Sequence, residues 1–248
     1  MGCDPSDTRP LAGLRIAVTR PRDQAGPLAE ELELLGANVV VVPLIAIEPV
    51  GDPDALDALL ENSDHDWIVL TSVNAVRAVG ERLPRVRGAR VAAVGPATAE
   101  AIRALGIEPA FVPERFTSEA IADGLGSLRG ARVLLPESAI ADPRLAAELE
   151  ARGASVDAVA AYRTVSVELS DAELDELRRA DAILLASGSA ARMLASVAPS
   201  VDRALLVCIG DSTAGAARSA GLRVGLVAEE ATAQGMIHAL VSYFGKSA

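Results

Sequence analysis

The stretch DWIVLTSVNAVR, Asp66 to Arg77, returns 115 positions later as DAILLASGSAAR, Asp181 to Arg192. The register then holds: Gly95 answers Gly210, Thr98 answers Thr213, Arg103 answers Arg218, Gly106 answers Gly221 and Thr117 answers Thr232. Earlier in the chain, Arg15, Gly36 and Val39 match Arg132, Gly153 and Val156 at an offset of 117. A unit of roughly 115 residues is therefore written twice, and two similar lobes are expected.

Each unit alternates short apolar, β-branched runs with helical patterns. The runs are RIAVTR, VVVVP, WIVLTS, RVAAVG and AFVP in the first unit, and RVLLPE, VDAVAAY, AILLAS, LLVCIG and GLVA in the second. Continuous apolar runs read as parallel strands buried on both faces, whereas a sheet with one wet face would alternate. Leu28, Leu32 and Leu35 share one helical face before Gly36, and Leu145 and Leu149 stand in the same way before Gly153. Asp52-Pro53 and the Ser170/Glu173 capping box predict the start of a further helix in each unit. Strand-helix alternation gives an α/β fold, an open parallel sheet with helices on both sides.

Composition narrows the chemistry. Of 23 basic residues 22 are arginines, and the single lysine is Lys246 in the expected frayed tail. A phosphate-binding P-loop or a Schiff-base enzyme needs a placed lysine, so both are excluded. A net charge of −11 and 2% aromatic residues argue against nucleic-acid binding. Cys3 and Cys208 make no disulfide framework, and Cys208 reads as a buried apolar residue. His65 and His238 are far apart, so no metal site is expected, and His65 reads as a solvated loop residue. No run has the 18 or so apolar residues of a membrane span, and the first dozen residues lack a signal-peptide core, so a cytoplasmic protein is expected. Gly2 and Ser6 fit a myristoylation pattern that is short enough to recur by chance; a disordered leader is the alternative.

In open α/β sheets ligands bind beyond the carboxyl ends of the strands, where helix amino termini present N–H groups. The turns expected there are Thr19-Arg20-Pro21, Thr71-Ser72-Val73-Asn74, Gly95-Pro96-Ala97-Thr98, Ser187-Gly188-Ser189 and Gly210-Asp211-Ser212-Thr213. Small and hydroxylic residues let an anion approach the backbone, although plain helix capping would select the same residue types. Five such turns in two copied units favour a shared site for a polyanion.

The order and spacing of these segments resemble the uroporphyrinogen-III synthase family from Leu14 to about Leu240. The resemblance rests on VTRPRDQ (Val18 to Gln24), LLGANVVVVPLIAIEP, WIVLTSVNAV, AVGPATAEAIRALG with FVPE, RVLLPE, DAVAAYRT around Tyr162, and IGDSTAGAARSAG. Where the family often carries a larger residue and a proline after the DAILL strand, this chain has Ala186, Ser187, Gly188 and Ser189.

The resemblance implies a cofactor-free lyase that closes hydroxymethylbilane into uroporphyrinogen III, losing water and inverting the terminal pyrrole ring. It implies two flavodoxin-like lobes, each a parallel five-stranded sheet with helices on both faces, joined by a two-stranded linker. One lobe combines residues 1–42 with 167–248, the other holds 51–160, and segments 43–50 and 161–166 are the linker strands. The substrate carries eight carboxylates, which arginines such as Arg20, Arg22, Arg115, Arg163 and Arg192 suit. Tyr162 is the expected catalytic residue, donating a hydrogen bond to the departing hydroxyl. Its counterpart in the other repeat is Ile45, so the shared fold does not demand a phenol. Arg20, Ser72, Thr98, Ser187, Gly188, Ser189 and Thr213 are the expected substrate-binding residues. No metal, nucleic acid or membrane partner is expected, and the protein is expected to be a monomer. The alternatives are a non-enzymatic two-lobed binding or sensing module and a nucleotide-dependent transferase, the latter disfavoured because no G-x-G-x-x-G follows a strand.

Overall fold

The computed structural model describes residues 9–50, 56, 58–60, 64–86, 88–115, 117–198, 201 and 203–245. Gly2, Cys3, Ser6, Asp52, Pro53 and Lys246 lie outside the described residues. The chain divides into two compact units, Met1–Ala46 with Val165–Ala248, and Ile47–Thr164.

The first unit holds strands β1 (Arg15–Val18), β2 (Asn38–Val41), β8 (Ala182–Leu185), β9 (Leu205–Cys208) and β10 (Val224–Val227). They lie in the order β10-β9-β8-β1-β2 with every pair parallel. Chain order reverses between β1 and β8, and such a switch point is where an open sheet leaves a crevice for ligands. On one face pack α1 (Arg22–Leu34) and α9 (Ala233–Phe244), through Leu28, Leu32, Met236 and Leu240 against Ile16, Val18 and Leu184. The other face carries α6 (Asp171–Arg179), α7 (Gly188–Val197) and α8 (Asp211–Ser219), through Leu177, Leu194 and Ala217 against Ala17, Ile183 and Leu206. Ser170 and Glu173 form the expected capping box of α6.

The second unit's sheet has the order β3-β7-β6-β4-β5, from β3 (Ile45–Pro49), β4 (Trp67–Leu70), β5 (Arg90–Ala93), β6 (Arg132–Ser138) and β7 (Ser155–Ser166). The β4–β5, β4–β6 and β6–β7 pairs are parallel, and β4 and β6 flank the switch point. One face is covered by α2 (Val73–Val79) and α3 (Pro96–Ala104), the other by α4 (Ser118–Gly124) and α5 (Arg144–Ala151). Leu56 and Leu60, in helical backbone, join the first of these cores.

One expected strand is not formed. AFVP contributes only an isolated bridge, Ala92 to Phe111, with Ala93 N donating to Phe111 O at 3.0 Å. Pro109 and Pro113 flank it and have no N–H to extend a ladder. The repeat is plainest at the helix ends. Gly36 and Gly153 sit at φ of 94° and 93°, and a Cβ at either would come 3.1 Å from the Cα of Ala12 or Arg129 respectively. Both the positive φ and the close approach call for glycine. No described helix is long and apolar enough to cross a membrane.

Candidate functional site

In the second unit, β4 ends at Leu70, and Ser72 caps α2 by accepting the Ala75 N–H at 3.0 Å. Tyr162 of β7, level with Ser138 at the end of β6, is buried, and its hydroxyl lies 3.0 Å from Ser72 Oγ. A strand irregularity makes this meeting possible. Glu137 of β6 faces Ala160 but the next residue, Ser138, faces Tyr162, so Ala161 is an extra residue in β7. Val156 packs with Val133 and Leu135 on one face of the sheet, whereas Tyr162 packs with Leu70 and Leu134 on the other. Residues six apart in an unbroken strand point the same way, so the bulge turns Tyr162 toward Ser72.

Thr98 lies in the first turn of α3, on the same face of that sheet as Ser72 and Tyr162. It is not the cap. Gly95 occupies that position without a side-chain bond, and the Thr98 hydroxyl forms no hydrogen bond among the described residues although the residue is only 5% exposed. The first unit repeats the arrangement. Ser187 caps α7 through the Ala190 N–H at 3.2 Å, and Thr213, also 5% exposed, stands in the first turn of α8 after Gly210. A Cβ on Gly188 would come 3.0 Å from Ala216 Cβ, so the glycine permits the start of α7 to approach the middle of α8 closely. Ser72 and Ser187 are thus helix caps, while Thr98 and Thr213 are largely buried residues whose unbonded hydroxyls stand beside open N–H groups.

The arginines divide. Arg20 follows β1 and is half-buried; beside it, Thr19 bridges the switch point by donating to Leu184 O at 2.6 Å. Arg192 donates to Ser189 Oγ at 3.3 Å, and Arg115 is exposed. Arg163 is held by Glu48 at 2.7 Å, and Arg22 pairs with Glu173 at 3.1 Å.

His65 differs from expectation. It is only 4% exposed, and its Nε2 is 2.7 Å from Asp157 Oδ2. Arg132 binds the same carboxylate at 3.0 Å and also pairs with Asp64. These bonds draw His65, two residues before β4, into the sheet's amino-terminal side, remote from the strand ends that bear Ser72 and Tyr162. Hydrogen bonds from His65 and Arg132 hold the Asp157 carboxyl below its ordinary pKa. Glu137 behaves oppositely: burial raises its pKa, and it has no hydrogen bond or ion pair among the described residues. Burial also lifts the Cys208 thiol to about 11, so it is an inert core residue. A groove of about 710 Å³ in the first unit, lined by residues including Glu31, Leu226, Gln234, His238 and Tyr243, contains none of the expected site residues.

Residues 26–238 match the family described as uroporphyrinogen-III synthase HemD. A porphyrin biosynthesis protein HemD of Ruminiclostridium josui is 31% identical over 96% of this chain and 50% of its own length. A uroporphyrinogen-III synthase of Synechococcus elongatus is 31% identical over 69% of each. The chain thus spans about half the length of the first relative and about two thirds of the second. A crystal structure of a mutant uroporphyrinogen III synthase from Thermus thermophilus superposes with a TM-score of 0.64 at 22% identity, covering 95% of this chain and all of that one. That likeness speaks for the two-sheet α/β fold, and with the sequence matches it leads to one conclusion: the chain belongs to the uroporphyrinogen-III synthase family.

Proposed function

We propose that this protein cyclises hydroxymethylbilane to uroporphyrinogen III, with loss of water and inversion of the terminal pyrrole ring. The observation that carries the reading is the Tyr162–Ser72 pair at the carboxyl end of a parallel sheet, beside the α3 amino terminus and the unbonded Thr98 hydroxyl. The substrate's pyrrole nitrogen expels the terminal hydroxyl. The Tyr162 phenol gives that hydroxyl its proton, so that water departs, and the proton shed by the ring carbon at closure returns to the phenolate. Positioning contributes the rest: a flexible chain must be folded so that the substituted carbon of the last ring is presented. Arg20, Thr98, Ser187, Gly188, Ser189 and Thr213 would bind the carboxylates, with the first turns of α3, α7 and α8 supplying N–H donors. No step requires a cofactor or metal.

The finer reading is a cytoplasmic monomer with no nucleic-acid or membrane partner, whose residues 43–50 and 161–166 link lobes 1–42 with 167–248 and 51–160. The test is to follow Tyr162→Phe and Thr98→Val with hydroxymethylbilane as substrate. The reading requires Tyr162→Phe to act on turnover and Thr98→Val on substrate affinity, and loss of neither would contradict it.

A further inference from the structure

Ser72 and Ser187 occupy equivalent places in the two repeats and make the same cap, each accepting the N–H three residues on. Among the described residues only Ser72 of the two makes a second bond, to the Tyr162 hydroxyl at 3.0 Å, and the counterpart of Tyr162 is Ile45. Capping therefore accounts for a serine at both sites, but not for the contact with the phenol. A serine hydroxyl has one proton to give and two lone pairs to accept with. The Ala75 N–H takes one lone pair of Ser72, and the proton has Tyr162 Oη within reach.

We propose that Ser72 is a positioning residue for Tyr162: its hydroxyl donates to the phenol oxygen, so that the phenol's own proton is directed to the departing hydroxyl of the substrate. This rests on the reading of Tyr162 given above. The Ala75 N–H and the Ser72 O–H form a chain in which each donor polarises the next. As the phenol gives up its proton, the negative charge develops on an oxygen that already receives a hydrogen bond, and no group has to reorganise. The bulge at Ala161 sets the side of the sheet on which the phenol lies, and Ser72 sets the direction of its oxygen.

The experiment is a double-mutant cycle of Ser72→Gly with Tyr162→Phe, followed by kcat and KM with hydroxymethylbilane. Glycine serves nearly as well as serine at a helix cap, so Ser72→Gly deletes the hydroxyl with little loss of folding, and thermal melting checks this. Ser72→Gly is expected to lower kcat about three- to tenfold. In the Tyr162→Phe background it is expected to cost less than about twofold, since no phenol proton remains to be aimed. Ser72→Thr, which keeps the hydroxyl, restores most of kcat. Ser187→Gly serves as the control, its effect on either constant being the same in both backgrounds. Equal loss from Ser72→Gly with and without the phenol overturns the proposal while leaving Tyr162 in the mechanism. Wild-type turnover by Tyr162→Phe itself removes the reading on which the proposal stands.

Discussion

Thr98 and Thr213 hold one place in two copies of the same unit: each is the third residue of a helix that follows a glycine, each is 5% exposed, and neither hydroxyl has a hydrogen bond among the described residues. A threonine acting as a cap would stabilise its helix by about 1 kcal/mol, but these two do not cap. Replacing a hydroxyl that makes no hydrogen bond within the protein by a methyl of the same shape is close to neutral for folding. Thr98→Val and Thr213→Val are therefore expected to keep their melting temperatures while KM rises about tenfold, the worth of one hydrogen bond to a carboxylate. Steady-state kinetics and thermal melts decide, and an unchanged KM in both variants removes these residues from the binding site.

Tyr162→Phe loses the proton donor but keeps the ring that packs against Leu70 and Leu134. The substrate ionises readily, so the low end of general-acid catalysis applies, about tenfold to a hundredfold in rate. Spontaneous closure then competes, and the type I isomer rises among the products. A variant with wild-type turnover and only type III product contradicts the role.

Asp157 and Glu137 should respond to acid with opposite signs. Asp157 is held low by His65 and Arg132, so its stabilising contribution is complete above the unfolded carboxylate's pKa, about 3.9, and is lost as pH falls through the lower folded value. Asp157→Asn removes the charge that His65 and Arg132 bind but keeps an oxygen that can accept from His65, and because the side chain is 36% exposed the cost at neutral pH is about 1 kcal/mol or less. Melting curves should show a deficit at pH 7 that shrinks below about pH 4; a deficit unchanged by acid means the charge is irrelevant.

Glu137 is held high by burial, so the folded state favours its neutral form, and stability is lost as pH rises through the unfolded value, about 4.3, to the folded one. Glu137→Gln removes the charge and should melt higher than the wild type at pH 7, with the gap closing near pH 4. A variant that is no more stable at pH 7, or a gap that widens on acidification, contradicts this.

Much of the architecture could be read from the repeat. Matching Ser72 with Ser187 and Gly36 with Gly153 places helix caps and helix ends in both units, because such positions are set by local backbone chemistry. What escaped the sequence depends on partners distant along the chain. His65 reads as a solvated loop residue until Asp157, 92 positions away, is known to accept its hydrogen bond. Counting by twos along VDAVAAY puts Tyr162 on the face of Val156, and nothing local marks Ala161 as the extra residue that reverses it. Thr98 and Thr213 resemble caps because threonine often is one, but the preceding glycines already hold that place. The failure of AFVP as a strand was legible, since Pro109 and Pro113 stand at its ends.

Closure of the linear tetrapyrrole with inversion of its last ring is the activity proposed for this protein. The most direct measurement incubates the purified chain, without added metal or cofactor, with freshly made hydroxymethylbilane, then oxidises the products and resolves the type I and type III uroporphyrins. Predominantly type III is expected in the presence of the protein and type I in its absence. Type I alone in both, from a chain shown to be folded, would contradict it.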